Sequence, residues 1–102
     1  MKYHNIKTVI DGIKFDSKKE AKRYQELVIM QKAGLIRDLK CQQPYAITVN
    51  TFPICKYIVD FIYYDNNAAE LIIEDVKGFK TPVYKIKKKL MKACHNIEIL
   101  ET

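Results

Sequence analysis

A chain of 102 residues, 48% apolar and 29% charged, reads as a single globular domain with a modest core, spanning residues 1–102. Its net charge of +6 and pI near 9.2 suit a polyanionic partner but do not identify one. No apolar run reaches the length of a membrane span and the N-terminus has no signal-peptide core. Three cysteines without C-x-x-C spacing argue against a disulfide framework, so a reducing, cytoplasmic compartment and no membrane contact are expected.

The chain opens with Thr8-Val9-Ile10-Asp11-Gly12-Ile13-Lys14-Phe15, where Asp-Gly between short apolar runs predicts a hairpin. Ser17 with Glu20 then forms a capping box, and the helix it starts is expected from Lys18 to Ala33, stopped by Gly34. Its inward stripe is Ala21, Tyr24, Leu27 and Val28, with Gln31 at the margin. Leu39 to Val49 reads as a strand, and Pro44 within it implies an edge position or a bulge. Tyr57 to Tyr64 and Leu71 to Lys77 are rich in β-branched and aromatic residues and read as two more strands. Thr81 caps a second helix with Pro82 at its first position, and Val83, Ile86, Leu90 and Ala93 are expected to face the core. Asn96 to Leu100 closes the chain as a final strand. The order predicts an α/β fold: hairpin, helix, three strands, helix and strand, in a mixed sheet covered by helices.

Two charged positions stand out inside the apolar strands. Asp60 sits in Tyr57-Ile58-Val59-Asp60-Phe61-Ile62-Tyr63-Tyr64, and Asp75-Val76-Lys77 ends the next strand. An isolated buried carboxylate costs several kcal/mol, so pairing or cation binding is expected of Asp60. Between the strands lies Asp65-Asn66-Asn67-Ala68. A two-residue Asn66-Asn67 loop pairs Asp65 with Ala68, sets Asp60 opposite Ile73 and makes Asp75 its diagonal neighbour, roughly 7 Å away at the side-chain base. Asp60, Ile73, Asp75 and Lys77 then share one face, whereas Glu74 and Val76 point to the other, Glu74 in a structural or solvent-facing role. An odd loop separates the two aspartates unless a bulge intervenes, so the loop must be even.

Two carboxylates beside an ammonium are what a metal-dependent nuclease requires: the acids hold a hard divalent cation and the lysine offsets or orients charge at the phosphate. The blander reading of Asp75 and Lys77 is a surface pair worth about 0–1 kcal/mol. Glu20 also reads two ways, as the capping partner of Ser17 or as a further acid reaching the sheet from the helix. Only His4 and His95 are available as imidazoles, which argues against zinc; oxygen ligands select Mg²⁺ or Mn²⁺. The cysteines and histidines read as structural. Lys85, Lys87, Lys88, Lys89 and Lys92 form a basic stretch that is most simply a solvated face, although Lys85 and Lys88 flank the core stripe nearest the site and are the candidates for DNA contact. Lys18, Lys19, Lys22 and Arg23 add a second basic surface.

With Asp60, Asp75-Val76-Lys77 and the surrounding order of elements, the sequence resembles the PD-(D/E)XK nuclease superfamily. It more closely resembles a family of small phage-encoded proteins placed within it. That closer likeness covers nearly the whole chain through Asp11-Gly12-Ile13, Phe15, Ser17-Lys18, Glu20-Ala21, Gln43-Pro44, Glu74-Asp75-Val76-Lys77-Gly78, Thr81-Pro82, Tyr84-Lys85 and Lys87-Lys88-Lys89. Val59 stands where the superfamily signature has proline, a common departure. The resemblance implies a restriction-endonuclease-like core and Mg²⁺-dependent cleavage of DNA. It implies Glu20, Asp60 and Asp75 as metal ligands with the Val76 carbonyl, and Lys77 as the catalytic lysine. It also implies a role in phage DNA processing, as a nickase or a Holliday-junction resolvase, in the host cytoplasm. Resolution needs two cuts and hence a homodimer, for which the N-terminal hairpin and the edge near Tyr45-Ala46-Ile47 are candidate interfaces. The competing classes are a non-catalytic DNA-binding module and a protein-interaction module on the same fold; the first binds DNA without cutting it and the second has little DNA affinity even at low salt.

Overall fold

The structure, a computed structural model, describes residues 7–102, so His4 lies outside it. Asp11 and Gly12 both take left-handed backbone, at φ 53° and 78°, and reverse the chain between β1 (Thr8–Ile10) and β2 (Ile13–Phe15) as the Asp-Gly signal requires. Helix α1 (Lys18–Lys32) starts where expected, with the Ser17 hydroxyl accepting the Glu20 N–H at 3.1 Å. Ala33 is its C-cap and Gly34, at φ 80°, turns the chain out of it. Ala21, Tyr24 and Leu27 are buried; Gln31 is exposed and its side-chain oxygen accepts the Leu39 N–H at 2.9 Å.

Three antiparallel strands follow: β3 (Ile36–Val49), β4 (Phe52–Asp65) and β5 (Glu70–Asp75). After α2 (Pro82–His95), β6 (Ile99–Glu101) adds parallel to β5, giving a mixed sheet in the order β3-β4-β5-β6. β1 and β2 form a separate two-stranded sheet. Pro44 is tolerated because β3 is the sheet edge. Its register also slips between Arg37 and Lys40, where Asp38 takes φ 58°.

The two helices cover opposite faces of the sheet. Phe15, Tyr24, Leu27, Ile36, Phe61, Tyr63 and Val76 form the core beneath α1. Ile47, Tyr57, Val59, Ile73, Tyr84, Met91 and Ile99 form the core beneath α2. Strict alternation would keep Val59 and Phe61 on one face, yet they belong to opposite cores. The strand therefore switches faces at Asp60. Across from it, between the rungs Cys41–Phe61 and Gln43–Val59, Gln42 turns left-handed at φ 55°.

Three expectations are corrected. The β4–β5 loop has four residues, not two, because Asp65 pairs with Glu70. The Asp65 carboxylate accepts the N–H groups of Asn67 and Ala68 at 2.9 and 3.0 Å, and Ala69 supplies the left-handed residue at φ 58°. On α2, Tyr84 and Met91 are buried while Val83 and Ile86 are 61% and 59% exposed, Ala93 is exposed and Leu90 is half-buried. The helix is rotated so that Tyr84 and Met91 face the core, and Lys87 and Lys88 are half-buried where Val83 and Ile86 are exposed. The last strand is shorter than the Asn96–Leu100 reading, because Asn96 caps α2 in left-handed conformation.

Of the edge proposed for self-association, Ile47 is fully buried and Tyr45 packs against His95 with ring centroids 5.5 Å apart. The exposed apolar side chains of this arm are Val49, Phe52, Ile54 and Ile58. Among the described residues no helix is long and apolar enough to cross a membrane.

Candidate active site

Because the loop is two residues longer than expected but still even, the face assignment survives and the alignment tightens. Phe61 pairs with Glu74, so the next rung sets Asp60 directly beside Asp75 rather than opposite Ile73. Side chains take over from the backbone at that rung. The Asp60 N–H donates to Asp75 Oδ1 at 2.9 Å and the Val76 N–H donates to Asp60 Oδ2 at 2.8 Å. Tyr57, on the same strand as Asp60, donates its hydroxyl to Asp75 Oδ2. Asp75 is 1% exposed and needs these partners.

Lys77 follows β5 and turns its ammonium back to 3.6 Å from Asp75 Oδ2. The same nitrogen lies 4.3 Å from the centroid of the Tyr84 ring. Its backbone is held from both sides: the Lys77 N–H donates to the Thr102 carbonyl at 2.9 Å, and Lys19 Nζ donates to the Lys77 carbonyl at 2.9 Å. What Val76 contributes in this structure is its N–H; the carbonyl role implied by resemblance stays an expectation.

Glu20 comes to the site from the first turn of α1. Burial raises its carboxyl above the usual range, as do the charges of Asp16 and Asp75, while Lys77 pulls it down. A backbone hydrogen bond from Asp16 opposes the rise, and of the expected capping box the serine half is made, Ser17 Oγ accepting the Glu20 N–H. Asp60 is displaced further, to about 7: burial is the main cause, the Val76 N–H opposes it, and the charges of Glu20 and Asp75 add to it against Lys77. The three acids and the lysine therefore form one electrostatic unit. Among the described residues, no three Asp, Glu, His or Cys side chains are spaced as a closed metal-binding group.

Glu74 does point to the opposite face, but it is completely buried there. Arg23 grips it bidentately, Nε to Oε2 at 2.7 Å and Nη2 to Oε1 at 3.1 Å, while Tyr63 and Thr102 donate hydroxyls at 2.5 and 2.9 Å. Arg23 is therefore structural and not part of a free basic surface. Its link to Glu74 spans 51 residues, and no local pattern announces it.

The lysines of α2 fall into two groups. Lys88 pairs with Glu101 at 3.1 Å, and Lys80 pairs with the same carboxylate at 2.9 Å. Lys92 pairs with Glu98 at 3.1 Å. Lys85 is exposed and, among the described residues, has no ion pair. Together with Lys89 and Tyr84 they line a hollow of about 500 Å³. A second hollow, of about 320 Å³, lies on the Glu20 and Lys77 side of the site, between Ser17, Phe79 and Thr81; neither Asp60 nor Asp75 lines it. The residues sequence reasoning missed here are Tyr57 and Glu101. Both act through contacts across the sheet that spacing along the chain does not encode.

A protein family described as "Protein of unknown function (DUF1064)" matches residues 1–99 of the chain. No curated protein and no solved structure matches it.

Proposed function

The chain belongs to this family, DUF1064, whose description names no activity, and from the site itself we propose that the protein is a Mg²⁺- or Mn²⁺-dependent endonuclease acting on DNA. The observation that carries this reading is the adjacency of Asp60 and Asp75 at the end of the β4–β5 ladder, with Lys77 against Asp75 and Glu20 electrostatically coupled to both. The likeness to PD-(D/E)XK nucleases in Asp60, Asp75 and Lys77 supports it.

By the chemistry of its atoms, though not as a closed cage among the described residues, the donor set suits a hard divalent cation. Every candidate ligand is an oxygen, and the carboxyls of Glu20 and Asp60 are raised first by burial and then by neighbouring negative charge, the part that a cation would relieve. Glu20, Asp60 and Asp75 would hold the ion, which when bound supplies Lewis-acid polarisation of the phosphate and a more acidic water. Lys77 orients the attacking water and offsets the charge that develops on the phosphate oxygens. Lys85 and Lys88, across the hollow beside Tyr84, grip the phosphate backbone; Lys88 must exchange Glu101 for phosphate to do so. Among the described residues no base-reading module is evident, which favours structure-selective or nonspecific cleavage, as nicking or as junction resolution by a homodimer in phage DNA processing.

One observation favours a second reading. Both oxygens of Asp75 and one of Asp60 already accept hydrogen bonds from Tyr57, Asp60 and Val76, an arrangement that would also serve a non-catalytic DNA-binding or protein-interaction module. Cleavage of supercoiled plasmid and of a four-way junction, in Mg²⁺, Mn²⁺ or EDTA, separates the two. Metal-dependent cutting that falls at least about 100-fold in Asp75→Asn, and in Glu20→Gln, is the expected result. Equal cutting by wild type and Asp75→Asn sinks this site as the nuclease centre, and cutting in EDTA sinks its metal dependence. DNA binding without cutting establishes the binding module.

A further inference from the structure

Four side chains close a circuit around the acid site. The Lys77 ammonium lies 3.6 Å from Asp75 Oδ2 and 4.3 Å from the centre of the Tyr84 ring. Asp75 Oδ2 accepts the Tyr57 hydroxyl. The Tyr57 and Tyr84 rings meet edge to face, 6.2 Å between centroids at 74°. Tyr84 is itself fixed: it is buried, it lies in the first turn of α2, and its hydroxyl donates to Glu101 at 2.5 Å. Glu101 is held in turn by Lys80 and Lys88.

A lysine side chain has four rotatable bonds and sweeps a large volume when nothing confines it. Here the carboxylate restrains the ammonium on one side, and the electron-rich face of a buried ring restrains it on another. We propose that Tyr84 is a positioning residue whose ring holds the Lys77 ammonium at the Asp60–Asp75 acid pair. The contact is to the ring face, so the hydroxyl is not what the lysine senses. Its bond to Glu101 is a second tether on a ring already held by burial in the first turn of α2. Through Glu101, the same ring is tied to Lys80 and Lys88, so the basic hollow and the acid site share one support.

The catalytic meaning of this contact rests on the nuclease reading, but the placement can be measured without it. In the folded wild type, NMR of the Lys77 side chain should show its ε-methylene protons shifted upfield by the Tyr84 ring current. The shift should persist in Tyr84→Phe and vanish in Tyr84→Leu. An unshifted Lys77 in the wild type overturns the proposal, and no variant needs to fold for that outcome. In plasmid nicking, Tyr84→Leu should lower kcat about 10-fold with little change in KM, and Tyr84→Phe should recover most of that loss. In a Lys77→Ala background, Tyr84→Leu should have no further effect. A Tyr84→Leu loss of undiminished size without Lys77 means that the tyrosine merely supports the fold, and it overturns the proposal. A wild type that cuts no DNA refutes the nuclease reading, while the ring-current shift still decides the placement.

Discussion

Replacing Asp60 by asparagine should stabilise the metal-free protein, and only above a definite pH. The carboxyl is displaced from 3.8 to about 7 by burial and by the neighbouring Glu20 and Asp75. Asparagine keeps an oxygen for the Val76 N–H and removes the charge. Below pH about 4 the aspartate is protonated in both folded and unfolded chains, and the two proteins should be equally stable. Between pH about 4 and 7 the unfolded chain releases the proton while the folded chain retains it, so wild-type stability falls with rising pH relative to the variant. Above about 7 the difference is constant. At 1.4 kcal/mol per tenfold change in proton affinity, the displacement sets a ceiling of about 4 kcal/mol. Partial solvent access at this half-buried position reduces that to about 2 kcal/mol, equivalent to about 10 °C in Tm for a domain of this size. Thermal unfolding of both proteins from pH 4 to 9 in EDTA measures the difference directly, because groups common to both cancel. A difference that is flat across this range, or a wild type that is the more stable at pH 8, refutes the reasoning. Lys77 would then compensate the buried charge in full.

Arg23→Met should cost about 3–5 kcal/mol in urea unfolding at pH 7, because it leaves the fully buried Glu74 without its cation. The Glu74 carboxyl is held below its ordinary value by hydrogen bonds from Arg23, Tyr63 and Thr102 against its burial. The penalty should therefore be present above pH about 4.5 and shrink as the pH falls, and Arg23→Met/Glu74→Gln should be less destabilised than Arg23→Met. In DNA binding measured against salt, Lys85→Ala should reduce the slope of log K against log [salt] by about 1. Lys88→Ala should change it less, since Lys88 already has Glu101 as a partner; equal effects would show that this ion pair opens freely.

The parts of the fold that were legible in the sequence are those governed by local chemistry. Asp11-Gly12 can take the two left-handed conformations of a tight turn, and Ser17 and Thr81 can satisfy free helix N–H groups, whatever the rest of the chain does. The pairing of Asp60 with Asp75 was legible only as a parity, because any even loop keeps the two on one face. The actual loop depends on Asp65 folding over Asn67 and Ala68, with alanine rather than asparagine in the left-handed position. The stripe of α2 misled because hydrophobicity marked Val83 and Ile86, whereas the helix is anchored by Tyr84 and Met91, with Leu90 packed against them. For Glu74 only the face was legible, with a structural and a solvent-facing role both open; its complete burial goes with Arg23, a partner far away in the chain.

The change of face at Asp60 makes β4 a shared member of both cores. Its first half packs under α2 through Tyr57 and Val59, and its second half under α1 through Phe61 and Tyr63. A strand shared in this way transmits disorder: loosening either helix removes support from the same backbone segment, and with it from the opposite layer. The two layers are thus bound into one cooperative unit, with the Asp60–Asp75 rung at the fulcrum. Slowest amide exchange belongs at that rung, and the acid pair should keep its geometry until the whole domain opens.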